Sequence, residues 1–198
     1  MYHFREHFLT ITDHKIRVMN GCFRVGLYRQ GLLHDLSKYT PVEFLNGARY
    51  YQGDRSPNAG EREDKGYSEA WLHHKGRNRH HWEYWTDYVK EEDRVTGILM
   101  PLPYVIEMVL DRIAASKVYL KDNYTDAAAL EYYNRTRQYY LIHPETDRLL
   151  KKLLTMLAVN GEEYTVRYMR HLLAKERRKK VTALGKKIGV TVTWWDTK

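Results

Sequence analysis

"GLLHDLSK", residues 31–38, decides how the rest of the chain is read. A short apolar run leads into His34 and Asp35, side by side, with Lys38 three places beyond. Adjacent residues on a helix point about 100° apart, so the doublet grips one ion only near a helix end or where other elements close the site from above. The simpler alternative is a helix end with polar residues on its wet side. Partners elsewhere in the chain distinguish the two.

The first partner is His14 in "TDHKIRV", twenty residues upstream. On one continuous helix His14 and His34 would stand roughly 30 Å apart, too far to share a metal. A helical hairpin brings them level, and breakers fall near its midpoint at Asn20–Gly21 and Gly26. The second partner should be acidic, because divalent ions held by imidazole usually keep a carboxylate. Asp111 in "YVIEMVLDRIAAS" lies among Val105, Met108, Val109, Ile113 and Ala114, where a carboxylate is costly unless paired. A salt bridge to Arg112, or an exposed flank, is its alternative.

"HKIRV", "LLHDLSK" and "VLDRIAAS", in that order, resemble the HD-domain superfamily of metal-dependent phosphohydrolases over most of residues 10–120. The resemblance implies an all-helical fold in which His14, His34, Asp35 and Asp111 bind one divalent metal. Several nucleotidase members carry an acidic residue where this chain has Lys38, so their acid–base scheme does not transfer directly. Glu43 and Glu83 are candidates for the acid.

"WLHHKGRNRHHWEYW", residues 71–85, holds four of the ten histidines within nine residues. On an unbroken helix His73 and His80, or His74 and His81, would lie about 10 Å apart along the axis. A turn at Gly76 and Asn78 lets His74 approach His80 or His81. Some branches of the superfamily add histidines between the doublet and the final aspartate and so hold a second metal. "HHWEYW" is also similar to a segment of an uncharacterised branch. His74, His80 and His81 are thus candidates for a second metal or for phosphate; hydrogen-bonding histidines on a basic, aromatic helix are the alternative.

The remainder of the chain bounds the class. A chain of 198 residues buries roughly 70% of its unfolded surface as one domain. We expect a single all-α domain over 1–198, with a core over 1–180 and a basic tail over 181–198. Apolar residues recur at helical spacing in 4–22, 67–74, 104–120, 145–159 and 163–174, and strand patterning is almost absent. "TPVE" places Thr40 as N-cap, Pro41 at the first helical position and Glu43 in a capping box. Asn160–Gly161 closes a helix. Residues 52–66, "QGDRSPNAGEREDKG", read as a mobile polar flap. "VTVTWWD" hints at one strand.

Cys22 is the single cysteine, so no intrachain disulfide forms. The N-terminus lacks a signal-peptide pattern and no apolar run reaches bilayer length, so a cytoplasmic protein without membrane association is expected. The net charge of +8 favours anionic partners, with basic concentrations in "HHKGRNRHH" and "RHLLAKERRKKVTALGKK". Most of the seventeen tyrosines are expected between helices with their hydroxyls at the rim.

These features, with the resemblance, imply a metal-dependent hydrolase acting on a small phosphorylated substrate such as a nucleotide. One or two divalent ions (Mn, Fe, Co, Ni, Zn or Mg) would activate water, with Asp35 and Lys38 as catalytic residues and Lys38 meeting the phosphate. A di-iron oxygenase of the same superfamily is a second reading. A non-catalytic nucleic-acid or nucleotide binder is a third.

Overall fold

The computed structural model describes residues 1–187. Helix α1 (Phe4–Val25) buries His7, Ile11, His14, Val18, Cys22 and Val25, a spacing of three and four that defines one face. Two histidines therefore share a stripe with core aliphatics. The chain reverses at Gly26, whose left-handed backbone (φ 80°) suits a residue without Cβ. The Leu27 N–H closes the turn on the Cys22 carbonyl at 2.8 Å. Helix α2 (Tyr28–Leu33) then runs back along α1.

This is the expected hairpin, with one correction. Asn20–Gly21 does not break the helix but lies inside α1. A Cβ on Gly21 would stand 3.0 Å from Leu110 Cδ2, so the glycine serves close packing against α6 (Leu102–Leu120). Tertiary packing overrides the local turn signal.

Helices α3 (Pro41–Arg49), α4 (Pro57–Lys65) and α5 (Glu69–Lys75) follow the doublet. Pro41 starts α3, but the capping box does not form: the Thr40 hydroxyl donates to the Ser37 carbonyl at 2.6 Å, and Glu43 is buried. The expected flap over 52–66 contains α4, opened by Pro57 and closed by the left-handed Gly66. Buried Glu61 locks α4 to α5, accepting from the Ser68 hydroxyl at 2.7 Å and from Lys65 at 3.0 Å.

A short antiparallel hairpin pairs β1 (Thr86–Val89) with β2 (Arg94–Gly97), Thr86 opposite Gly97 and Val89 opposite Arg94. These are strands that apolar periodicity did not signal. Helix α7 (Ala128–Thr136) and helix α8 (Pro144–Lys187) complete the domain. Gly161 breaks α8 with non-helical backbone, as its sequence position suggested. α8 continues past residue 180, the expected limit of the core; "VTVTWWD" lies outside the described residues.

Among the described residues the architecture is all-α apart from that hairpin, and forms one compact domain. Val18, Cys22 and Val25 of α1 meet Ile106, Val109, Leu110 and Ile113 of α6, and Leu150, Leu153, Leu154, Leu157 and Met169 of α8. This core holds α1 against α6, and the polar centre forms where their histidine and carboxylate positions coincide. Among the described residues no helix is long and apolar enough to cross a membrane.

Candidate metal centre

The doublet sits where α2 ends. His34 has extended backbone and Asp35 is left-handed (φ 54°), so the two side chains leave the helical path before the 3-10 turn Leu36–Tyr39 begins. A left-handed non-glycine residue is costly except for Asn and Asp, which tolerate it best. Lys15 secures this end of α2. Its ammonium donates to the Leu32 and His34 carbonyls, 2.8 Å in each case, placing a cation on carbonyls left free at a helix C-terminus.

Asp35 is fully buried and faces two groups of imidazoles. Its Oδ2 stands 3.3 Å from His34 Nε2 and 3.4 Å from His14 Nε2. Its Oδ1 stands 3.3 Å from His74 Nε2 and 3.4 Å from His80 Nε2. Asp111 Oδ1 completes the first group at 3.0 Å from His14 Nε2 and 3.7 Å from His34 Nε2. His81 joins the second, its ring 4.2 Å from that of His80 and 4.8 Å from that of His74. The candidate ligand atoms of His14, His34, Asp35 and Asp111 all lie within 4.8 Å of one another, as do those of Asp35, His74, His80 and His81.

The alternative for Asp111, a salt bridge to Arg112, is not what the structure holds. Asp111 turns to the histidines and Arg112 donates instead to the Tyr140 hydroxyl at 3.1 Å. The turn expected at Gly76–Asn78 is present, with the His81 N–H on the Asn78 carbonyl at 3.1 Å. It brings His74, His80 and His81 together.

A cation fits this donor set. His14 Nε2, His34 Nε2, Asp35 Oδ1, His80 Nε2 and His81 Nε2 are buried without hydrogen-bond partners, and Asp35 Oδ2 has only the Lys38 ammonium. Buried polar atoms are nearly always satisfied, and a cation bound among these atoms would satisfy them together. With metal–ligand bonds of about 2.1 Å, neighbouring ligand atoms lie about 3.0 Å apart in an octahedral shell and about 3.4 Å apart in a tetrahedral one. Most of the separations around Asp35 and Asp111 fall in that window.

Two glutamates orient the imidazoles from behind. Glu107 accepts from His34 Nδ1 at 2.9 Å and lies 3.3 Å from His80 Nδ1. Glu43 accepts from His73 Nδ1 at 2.6 Å and His74 Nδ1 at 2.7 Å. Protonated Nδ1 leaves Nε2 as the lone pair, directed at the centre. Glu107 was not singled out in the sequence, although it lies four residues before Asp111 and so on the same helical face. Glu43, expected as a helix cap or an acid, instead accepts from two histidines.

Electrostatics follow from burial and proximity. Burial alone would raise the Asp35 carboxyl, but His34, Lys38 and His74 outweigh it and hold it well below the carboxylate range. Asp111 is likewise held low, His14 and His34 overcoming its desolvation. Lys38 reaches Asp35 Oδ2 at 2.6 Å, and Asp35 and Asp111 keep its ammonium charged against burial. Glu83 behaves oppositely, with desolvation pushing its carboxyl up.

Fold and site together define an all-α protein with a buried histidine–carboxylate centre. Residues 3–156, which include every residue of that centre, match the family described as "Family of unknown function (DUF5662)", and the chain belongs to it. No curated protein and no solved structure matches the chain.

Proposed function

We propose that the chain is a metal-dependent hydrolase of the HD type, acting on a small phosphorylated substrate such as a nucleotide. One observation carries this reading: the buried carboxylate of Asp35 presents separate oxygens to two imidazole groups, each with unpartnered Nε2 atoms. His14, His34, Asp35 and Asp111 would hold one divalent ion, and Asp35, His74, His80 and His81 a second. Bound there, a divalent ion would lower the pKa of its water towards neutrality and neutralise a phosphoryl oxygen.

The chain's own residues supply the rest. Glu43 and Glu107 fix imidazole tautomers, so the ring lone pairs are directed before any ligand arrives. Lys38, on the Oδ2 side of Asp35 and partly exposed, offers an ammonium to a phosphate approaching from solvent. Glu83 is the candidate acid, since burial favours its protonated form.

Metal quantification on the wild type and His34→Ala, followed by a phosphatase and phosphodiesterase screen with added divalent ions, tests the proposal. The expected result is bound metal in the wild type, its loss in the variant, and metal-dependent release of phosphate. Metal retained in Asp35→Ala and Asp111→Ala would sink it. An oxidised di-iron chromophore with no hydrolysis would redirect it to oxygenase chemistry.

A further inference from the structure

The basic run at 75–79 and the arginine that follows Asp111 have no role in the centre as described. The first observation is Arg112 itself. Its guanidinium lies over the rings of Tyr132 and Tyr140, at 5.8 Å and 5.5 Å, and donates to the Tyr140 hydroxyl. Its Nε and Nη1 are nevertheless buried with no acceptor among the described residues, where no carboxylate comes within ion-pair distance. Arg112 is half-buried, and leaving two of its guanidinium nitrogens out of water without an anion is costly, while the two aromatic faces restrict its rotamers.

The second observation is the company it keeps. The Tyr140 ring that Arg112 covers stacks on Trp82, the residue after His81, with centroids 5.1 Å apart. Arg62 and Lys75 lie on the same flank, and among the described residues neither they nor Arg112 form an ion pair with Glu83, two residues beyond His81. Arg62 instead lies over the Trp71 ring at 5.7 Å, and that ring packs edge-on to His81 at 4.7 Å. Three cations that have no carboxylate partner among the described residues, against one carboxylate, give the His81 flank a net positive charge. Lys38 is paired with Asp35 Oδ2 at 2.6 Å and so is not one of these unpaired cations.

We infer that Arg112, with Arg62 and Lys75, forms an anion-binding subsite beside the His74–His80–His81 cluster, which takes a second anionic group of the substrate. This rests on the proposed function for the identity of the first group, but not for the subsite itself. The ligand class is then a small molecule with two anionic centres, such as a bisphosphate or a phosphorylated acid. One centre lies at the histidines and Lys38, the other on Arg112. Guanidinium is suited to this task because it offers several fixed donors to phosphate or carboxylate oxygens.

The test is calorimetric titration of pyrophosphate into the full chain, with and without manganese, at low and moderate salt. The wild type should bind, and Arg112→Gln should weaken binding about tenfold or more at unchanged manganese content. Arg62→Gln and Lys75→Gln, both at positions that carry no fold contact comparable to Arg112, should each weaken it less. Arg112→Lys, which keeps the charge but not the fork, should fall between wild type and Arg112→Gln, and this guards against a misfolded glutamine variant. Absence of pyrophosphate binding to the wild type, or wild-type affinity in Arg112→Gln, overturns the inference. Manganese content reads the histidine centre separately. A chain that binds manganese but not pyrophosphate keeps the centre and loses the subsite; Arg112-dependent pyrophosphate binding without manganese does the reverse.

Discussion

Glu43 accepts the Nδ1 proton of His74 at 2.7 Å, while His74 Nε2 faces Asp35 Oδ1 at 3.3 Å. The same glutamate holds His73, and Ser37 and Asn78 close the arrangement: the Asn78 amide donates to Ser37 Oγ at 2.8 Å. Glu43 thus sets one imidazole of the second group and none of the first. Glu43→Gln should weaken metal binding there by about 10- to 100-fold, with the site at His14, His34 and Asp111 retained. Manganese titration monitored by electron paramagnetic resonance should show two equivalents in the wild type and one tight equivalent in the variant. Equal loss of both would contradict the separation of the two groups.

Asp35 combines two demands, a left-handed backbone and a carboxylate facing both groups. Asparagine tolerates the backbone but not the charge. Asp35→Asn is therefore expected to fold, with native far-ultraviolet circular dichroism, and to lose both metals. Asp111→Asn should lose only the metal held with His14 and His34. Elemental analysis after gel filtration distinguishes the two stoichiometries.

Much of this centre was legible because its residues carry distinctive surroundings. The doublet follows an apolar run, His14 and Asp111 sit on apolar helix faces, and His74, His80 and His81 are dense enough to require a turn. Glu43 was hidden because "TPVE" has a sufficient local explanation, which burial overrode. Glu107 was hidden because a glutamate between Ile106 and Met108 has no local signature, only its four-residue spacing from Asp111. Helix α4 was missed for a related reason. Its buried contact is Glu61 rather than an aliphatic stripe, so periodicity was silent, although Pro57 and Gly66 marked both ends. The strands at 86–97 are too short and too exposed to alternate clearly.

The tether from α1 to the doublet has its own consequence. Lys15 makes two charge-assisted hydrogen bonds to carbonyls at the end of α2, including that of His34. Lys15→Met keeps the aliphatic stem and removes both donors. It should lower unfolding stability by about 2 kcal/mol, the scale for hydrogen bonds to a charged group, and weaken metal binding without removing a ligand. Urea denaturation and metal titration on the same preparation check both effects; unchanged values in both would mean that the doublet holds its backbone without help.

His7 lies two turns before His14 on the same face of α1 and is 5% exposed. Its ring packs against Phe44 and Tyr51 and so close to α3 that a Cβ on Gly47 would meet its Nε2 at 2.1 Å. Burial, helped by the charge of Lys38, pushes its pKa down to about 4. The unfolded chain therefore takes up this proton at higher pH than the folded one. Stability linked to His7 is full above about pH 6.5 and declines as pH falls towards 4, by at most about 3 kcal/mol. His7→Leu should flatten that part of the acid limb, read as urea midpoints across the range, while Gly47→Ala should destabilise at every pH by forcing the ring from its slot. An acid limb of the same slope in His7→Leu would assign the proton uptake to other groups.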